Sequence, residues 1–493
     1  MEWHSRRLSR RSIIRTAAFG IAGVAISPLI AACGQAATPA PTSAPAATSA
    51  AAGTSAPAAQ PTAAQAAASG TASVKVSVWG DVSDLQINKG IIGAFAKTNS
   101  KITVTPEQWV GDYYQKLQVG IAGNTVTDMV YFQGWMWQPY TLKGQITDIT
   151  SYVNTDKASL PNNLFPDLDA YKRQLLFQGK YYGMPQDTGS MVVLYNKDLF
   201  DAASVPYPKD TWTYQDFLDT CQKVQDGLTK AGKTGVFAYQ PNYNDDYTRD
   251  FPWWRMNGGM EFDTLESPKK AQWDQPEVAA AWQNELHDLA SKGLAISQGA
   301  LLGGGGSNAY YTYGIQNALA AMKVEGPWFL PQMWGPQAAT KGGLNYDAVQ
   351  MPKGSKGYSS FWQVEPVCIM KASKNPDACF EYLKYVVSSD GQQFVANGGR
   401  MTNTPDSITN QWVPITQKTY NCNNAKAFAF SDGASMVITG GVSSDQFDVT
   451  GGLNAARDSV INGSKTAKDA LAQANPLIQG ILDTWYKNNP GSS

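Results

Sequence analysis

The chain has 493 residues, of which 43% are hydrophobic and 16% charged, so it can bury a sizeable core and form about two domains. The first 33 residues hold five arginines and one glutamate, which leaves 34 basic and 39 acidic residues in the rest. No basic field remains to attract nucleic acid. With only two histidines, His4 and His287, a histidine-rich metal site is excluded, and neither a metal nor a cofactor is expected.

The N-terminus has the pattern of a cleaved export signal over residues 1–33. A basic segment, "SRRSIIR", precedes 17 mostly apolar residues that are interrupted by glycines and a proline, and no stop-transfer flank follows. The arginine pair resembles the twin-arginine export motif, and "LIAAC" resembles the lipobox of bacterial lipoproteins. This resemblance implies that Cys33 becomes the lipidated first residue of the mature chain. An uncleaved N-terminal membrane helix is the alternative.

Residues 34–73 contain only Gly, Gln, Ala, Thr, Pro and Ser. Such a segment buries too little apolar area to offset its ordering entropy, so we expect a disordered linker. As a flexible coil it spans on the order of 30 to 40 Å. The globular part is therefore expected outside the cytoplasm, tethered to the outer face of the cell membrane.

Strand and helix patterns then alternate along the chain. "SVKVSVWGD" reads as a strand that ends at a Gly-Asp turn, and a helix and a second strand at 102–104 follow it. A helix at 113–122 precedes the short strand "TDMVYF". A capped helix in "TWTYQDFLDTCQKVQ" and a strand in "VFAYQ" repeat this order further on. The alternation predicts an α/β fold with a largely parallel sheet.

Several motifs occur in the order typical of one protein family. They include "VWGDV", "LYNKDLF" with "TW" after it, "NGGMEF", "NALAAMKVEGPW" and "SKNPDACFEYLKYVVSSDGQQFVANGG". Over nearly all of residues 74–485 the chain resembles the family 1 extracellular solute-binding proteins. The resemblance implies a two-lobe fold of the periplasmic-binding-protein type II, with a hinge and a ligand cleft between the lobes. Lobe one would hold residues 74–187 plus 354–399, and lobe two 188–353 plus 400–493.

The resemblance also implies a function. The protein would be the extracytoplasmic, monomeric substrate-binding protein of a bacterial ABC importer, which captures a carbohydrate and delivers it to the membrane permease. It would not be an enzyme. The alternatives are a non-sugar solute such as a polyamine, a peptide or a phosphorylated polyol, or a glycosidase-like activity carried by a pair of carboxyl groups.

A sugar site requires flat aromatic faces together with convergent hydrogen-bonding groups. This chain supplies both types of residue at predicted strand ends and near the predicted hinge. Trp328 closes "EGPW", where the family commonly stacks an aromatic ring on the sugar, and Asp81 matches a position that faces the cleft. The expected ligand-binding residues are Trp79, Asp81, Gln133, Trp135, Asp187, Trp253, Trp254, Trp328, Trp362, Glu365 and Arg400.

Structural roles remain open for most of these residues. Each tryptophan could belong to a core, and of the adjacent Trp253 and Trp254 one is expected in the cleft and the other in the core. The two aspartates could cap turns. Glu365 and Arg400 could form an ion pair between the lobes.

Two further features bear on the ligand and on the redox state. Near "TGGLNAARDSVI", where maltose-binding members offer another stacking aromatic, this chain has glycines and Leu453. A mono- or disaccharide, or an oligosaccharide other than a long maltodextrin, is therefore expected.

Four cysteines follow Cys33 and fit buried positions, and a disulfide between Cys368 and Cys379 is the alternative.

Overall fold

We describe the fold from a computed structural model, which defines residues 71–243, 249–305, 313–334, 342–429, 442 and 446–489. The predicted signal peptide, Cys33 and the linker up to residue 70 lie outside these ranges. Within them, no helix combines the length and the apolar character that a membrane crossing requires.

The described strands form two main sheets and one small hairpin. Their bounds are Ala72–Val78 (β1), Ile102–Gln108 (β2), Met129–Tyr131 (β3), Leu176–Phe177 (β4), Lys180–Tyr181 (β5), Gly183–Ser190 (β6), Val192–Asn196 (β7), Phe237–Gln240 (β8), Ala320–Glu325 (β9), Tyr346–Val349 (β10) and Trp362–Ile369 (β11).

The helices connect and cover these strands. The α-helices are Val82–Thr98, Tyr113–Ala122, Gln138–Leu142, Thr150–Thr155, Asp169–Leu175, Lys197–Ala203, Tyr214–Lys230, Phe251–Arg255, Pro276–Gln283, Leu289–Ser291, Gln298–Gly305, Tyr313–Gln316, Leu330–Met333, Pro376–Val387, Ser389–Asn397, Pro405–Ser407, Val413–Tyr420, Leu453–Ile461 and Ala467–Asn488. Short 3₁₀ turns lie at Lys157–Ser159, Pro327–Phe329 and Ala425–Ala429, and π turns at Asn284–Asp288, Ile408–Trp412 and Gln446–Thr450.

The first sheet has the strand order β2-β1-β3-β11-β6. β1 pairs in parallel with β2 and β3, while β11 runs antiparallel to both β3 and β6. In β1, Val74, Val76 and Val78 are buried and Ser73 and Lys75 are exposed, as the alternating sequence predicts, whereas Ser77 near the end of the strand is also buried. The carboxyl ends of β1, β2, β3 and β6 therefore share one edge of this sheet.

The second sheet has the order β10-β7-β9-β8, with β7 antiparallel to its two neighbours and β8 parallel to β9. Helix Tyr214–Lys230 covers it and buries Phe217, Cys221, Val224 and Leu228. Thr213 and Asp216 close its N-terminus in a reciprocal capping box, which is the signal that predicts this helix from sequence.

Two chain segments connect the sheets. A single residue, Met191, separates β6 in the first sheet from β7 in the second, and the chain returns from β10 to the first sheet as β11. β6 and β11 are neighbours with paired residues from Trp362↔Ser190 to Cys368↔Gly183. The α/β class predicted from the sequence is confirmed, and we refer to β6 and β11, which adjoin the two crossings between the sheets, as the hinge strands.

Candidate functional site

Polar and aromatic residues follow the strands of the first sheet at their shared carboxyl edge. Trp79 follows β1 and packs its half-buried ring against Tyr113, with the ring centroids 4.6 Å apart. Gln133 follows β3, where its amide oxygen accepts a hydrogen bond from the Tyr114 hydroxyl at 3.3 Å. In open α/β folds, ligands bind beyond this edge of the sheet. The two side chains thus occupy the edge at which a ligand site is expected.

The matching edge of the second sheet is formed by the end of β9. Glu325 is the last residue of β9 and pairs with Val192, the first residue of β7. The chain then turns at Gly326 and presents the half-buried ring of Trp328. The sequence predicted a ring at this place, and the structure puts it directly after the strand.

The two sheets bring Trp135 and Trp328 onto one shared ring, that of Phe361. The Phe361 centroid lies 5.5 Å from that of Trp135 and 6.3 Å from that of Trp328, with interplanar angles of 82° and 85°. Phe361 is buried, whereas both tryptophans keep part of their surface open. The geometry is an aromatic clamp, by which we mean Trp135, Phe361 and Trp328 together.

Sequence reasoning missed Phe361 and chose its neighbour Trp362 instead. The structure buries Trp362 in a core, where its ring centroid lies 6.1 Å from that of Tyr171. Phe361 directly precedes β11 and Trp362 is its first residue; successive side chains in an extended chain point to opposite faces, so the two rings are not expected to face the clamp together. Trp362 is therefore corrected from a ligand residue to a core residue. The sequence shows that two aromatic residues, Phe361 and Trp362, are adjacent, but it does not show which of the two rings faces the clamp.

Trp253 and Trp254 are corrected in the same way. Both are in helix Phe251–Arg255 and both are buried, so neither faces the cleft as one was expected to. Trp253 packs on Phe217 with centroids 4.8 Å apart. Trp254 donates its indole N–H to Glu261 at 2.9 Å. The helix has core contacts through both rings, because Trp253 packs on Phe217 of helix Tyr214–Lys230 and Trp254 packs on Trp273.

A buried ion pair supports the clamp from the second sheet. The Arg249 guanidinium lies 6.0 Å above the Trp328 ring. Its Nε donates to both carboxylate oxygens of Glu325 at 3.3 Å, and its Nη2 donates to Oε1 at 3.2 Å. Glu325 also accepts from the Gly326 amide at 3.0 Å. No sequence signal pointed to this pair, since its members are 76 residues apart.

Trp328 also fits against glycine in the hinge strand. A Cβ atom added at Gly189 in β6 would come within 2.7 Å of Cζ3 of the Trp328 ring. Real Cβ atoms do not approach another atom this closely, so the ring would have to move. Gly189 therefore lets the tryptophan lie directly on the hinge.

The predicted charged residues gather beside the clamp. Asp187 on β6 and Glu365 on β11 are directly opposite each other and are both buried. Arg400 pairs with Asp84, not with Glu365: its Nε donates to Oδ1 at 2.9 Å and its Nη2 to Oδ2 at 2.6 Å. Asp81 is exposed, and its carboxylate lies 3.7 Å from the Arg400 guanidinium.

Protonation of the two hinge carboxyls is shifted by their surroundings. Burial raises the pKa of Asp187, an effect that the positive charge of Arg400 partly opposes. Burial also raises the pKa of Glu365, and the negative charge of Asp187 raises it further. The Tyr131 hydroxyl donates to Asp187 at 3.2 Å, which favours the charged form of that residue.

The cysteines among the described residues are not bonded to one another. Cys221, Cys368, Cys379 and Cys422 are all buried free thiols. The expectation that these cysteines are small buried side chains is confirmed, and the alternative disulfide between Cys368 and Cys379 is absent from this structure.

Comparison with known proteins agrees with this geometry. The chain belongs to the bacterial extracellular solute-binding protein family, whose model matches residues 90–422. A galactooligosaccharide-binding protein of Bacillus subtilis (strain 168) is 23% identical over 322 residues, which is 63% of this chain and 68% of that protein. This family consists of solute-binding proteins of the cell exterior.

Solved structures share the fold over most of the chain. The ABC substrate-binding protein Lmo0181 of Listeria monocytogenes, in complex with cycloalternan, matches with a TM-score of 0.68 at 20% identity, covering 84% of this chain and 99% of that chain. The GacH receptor of Streptomyces glaucescens, known with acarbose, matches with a TM-score of 0.66 at 18% identity, covering 84% and 99%. The predicted two-lobe periplasmic-binding-protein fold is confirmed.

Proposed function

We propose that this protein captures a carbohydrate between its two lobes and delivers it to the permease of an ABC importer. The observation that carries the proposal is the aromatic clamp, in which Trp135 beside the first sheet and Trp328 beside the second converge on Phe361. Rings on both sides of a hinge can sandwich the apolar faces of a sugar when the lobes close.

Polar groups around the clamp suit the hydroxyls of a sugar. Gln133 follows the same strand as Trp135, and the carboxyl groups of Asp187 and Glu365 lie on the hinge strands. Trp79 and Asp81 extend the first edge, and Arg400 lies next to Asp81. These residues, with Trp135 and Trp328, form our proposed ligand site. The relatives with named ligands support a carbohydrate, since a galactooligosaccharide, cycloalternan and acarbose all belong to that class.

The lobe boundaries are part of this proposal. We assign residues 74–187 plus 354–399 to lobe one, and 188–353 plus 400–493 to lobe two. Closure would bend β6 and β11 near their facing residues Asp187 and Glu365. Ligand binding then shifts the population toward the closed form, which docks on the permease.

The N-terminal region supports a location on the outer face of the cell membrane. Residues 1–33 would direct export by the twin-arginine route, lipidation at Cys33 would anchor the chain, and residues 34–73 would tether the lobes. We propose a monomer that has no catalytic activity and no nucleic-acid partner.

Titration calorimetry with a panel of mono-, di- and oligosaccharides tests the proposal. One member of the panel should bind, and Trp328→Ala should weaken that binding at least tenfold, while Trp328→Phe retains most of it. Trp485→Ala is the matched control, because Trp485 is also half-buried but lies on the C-terminal helix. Binding of a polyamine in place of any sugar would refute the carbohydrate class. Equal affinities for wild type and Trp328→Ala would refute the site.

A further inference from the structure

Three carboxyl groups and one guanidinium are buried together beside the hinge. Asp84, Asp187, Glu365 and Arg400 expose between 1% and 8% of their surface. The guanidinium already makes two hydrogen bonds to Asp84. Asp187 and Glu365 therefore have no cation of their own within this group, and full ionisation would bury an excess of negative charge.

The two remaining carboxyls face each other. Asp187 and Glu365 are paired residues of the antiparallel strands β6 and β11, so their side chains lie on the same face of the sheet. Cβ atoms of such pairs are about 4.5 to 5.5 Å apart. Two buried like charges at this separation repel strongly, and one of the groups usually remains protonated.

Neighbouring groups distinguish the two carboxyls. The Tyr131 hydroxyl of β3 donates to Asp187. Glu365 interacts electrostatically with Arg400, Asp84 and Tyr114, the last of which belongs to helix Tyr113–Ala122. The Gly134 amide donates a hydrogen bond to Glu365. Its Oε2 atom is buried and has no hydrogen-bond partner. A buried acceptor without a partner is costly, whereas a proton would convert it into a donor.

We propose that Asp187 and Glu365 form a proton-binding site in the hinge, which takes up one proton from solvent on folding and holds it at neutral pH. The proton resides on Oε2 of Glu365, and the carboxylate of Asp187, oriented by Tyr131, is its counterpart. No other bond changes. The raised pKa of both groups has the direction that such a site requires.

The site predicts how stability depends on pH in the absence of any sugar. Both groups have a raised folded-state pKa, so above about pH 4 the folded site binds one more proton than the same two groups bind in the unfolded chain. The associated stability is complete at acid pH and falls as the pH rises. The site should therefore contribute about a tenfold increase of the unfolding constant per pH unit through the range in which it still holds its proton, in addition to the contribution of other buried acids such as Glu285.

Equilibrium unfolding of the sugar-free protein between about pH 5 and pH 9 tests this inference. Glu365→Gln supplies a neutral group in place of the protonated one. The slope of the logarithm of its unfolding constant against pH should therefore be smaller than that of the wild type by about one proton. Glu266→Gln is the matched control, because Glu266 is exposed, and it should keep the wild-type slope. Identical slopes for wild type and Glu365→Gln would overturn the proposal.

Infrared spectroscopy of the folded protein gives a second readout. The wild type should show the carbonyl stretch of a protonated carboxyl at neutral pH, and this band should be weaker in Glu365→Gln. If that variant does not fold, Asp187→Asn must show a loss of the same pH slope. A stability that rises with sodium or magnesium at constant ionic strength, with no proton taken up on folding, would show that a cation fills the site and would refute the proton.

Discussion

The buried pair between Arg249 and Glu325 allows a quantitative prediction. The two side chains are 8% and 0% exposed, and three hydrogen bonds of 3.2 to 3.3 Å join them. Arg249→Met fills most of the same volume but leaves the Glu325 carboxylate buried without its main partner. Breaking a buried pair from one side costs about 3 to 5 kcal/mol of folding stability.

The lower end of this range is expected here. Glu325 keeps the hydrogen bond from the Gly326 amide at 3.0 Å. Lys323 is two residues earlier on β9, is fully buried, and has a side chain on the same face of the strand. These groups offset part of the unpaired charge, so we expect a loss of about 3 kcal/mol.

Urea unfolding followed by tryptophan fluorescence measures the effect. The double variant Arg249→Met with Glu325→Gln removes both charges and should recover about 2 kcal/mol relative to Arg249→Met alone. Lys384→Met is the comparison, because Lys384 pairs with Asp156 at 2.7 Å and with Glu381 at 2.6 Å while all three side chains remain partly exposed. Loss of these exposed pairs should cost about 1 kcal/mol or less. If Arg249→Met were no more destabilising than Lys384→Met, the reasoning would be refuted.

Three further predictions concern the clamp, a helix cap and a buried acid. Gly189→Val should weaken sugar binding about tenfold, or ~1.4 kcal/mol, since its Cβ displaces the Trp328 ring. Unchanged affinity in calorimetry would contradict this. Thr213→Ala removes the capping box of helix Tyr214–Lys230 and should cost about 1 kcal/mol in urea unfolding, whereas Thr213→Ser should cost much less. Burial raises the pKa of Glu285 to about 8 from 4.5. Because the folded state keeps this proton at a higher pH than the unfolded chain, Glu285 should lower the stability of the wild type by about 1.4 kcal/mol per pH unit between these two pKa values. Glu285→Gln should lack this contribution, which unfolding at several pH values measures.

Much of the fold was readable from the sequence because it depends on local patterns. The alternation of Val74, Val76 and Val78 defines β1, and the Thr213 and Asp216 pair marks the start of a helix. Strands that alternate with helices permit few architectures, so the class follows from the order of the elements. The motif that ends in Trp328 also placed one ring correctly at a strand end, although its role in binding remains a prediction.

Other residues could not be assigned because their roles depend on contacts between distant segments. Arg249 meets Glu325 across 76 residues, and Arg400 meets Asp84 across 316. Neither partner could be chosen from sequence alone, since many carboxylates were available. The burial of Trp253 and Trp254 likewise depends on elements that pack against both sides of their helix.

The segment "VYFQGWMWQPY" at residues 130–140, at the end of β3, separates what the sequence specifies from what tertiary packing decides. The sequence alone determined that a strand ends there and that aromatic rings follow it. Tertiary packing decided which ring stays accessible: Trp137 is buried and donates its indole N–H to the Gln174 carbonyl at 2.9 Å, whereas Trp135 remains half-open against Phe361. The physical reason is that periodicity specifies the local backbone, while the environment of a side chain is set by whichever distant segments pack on it.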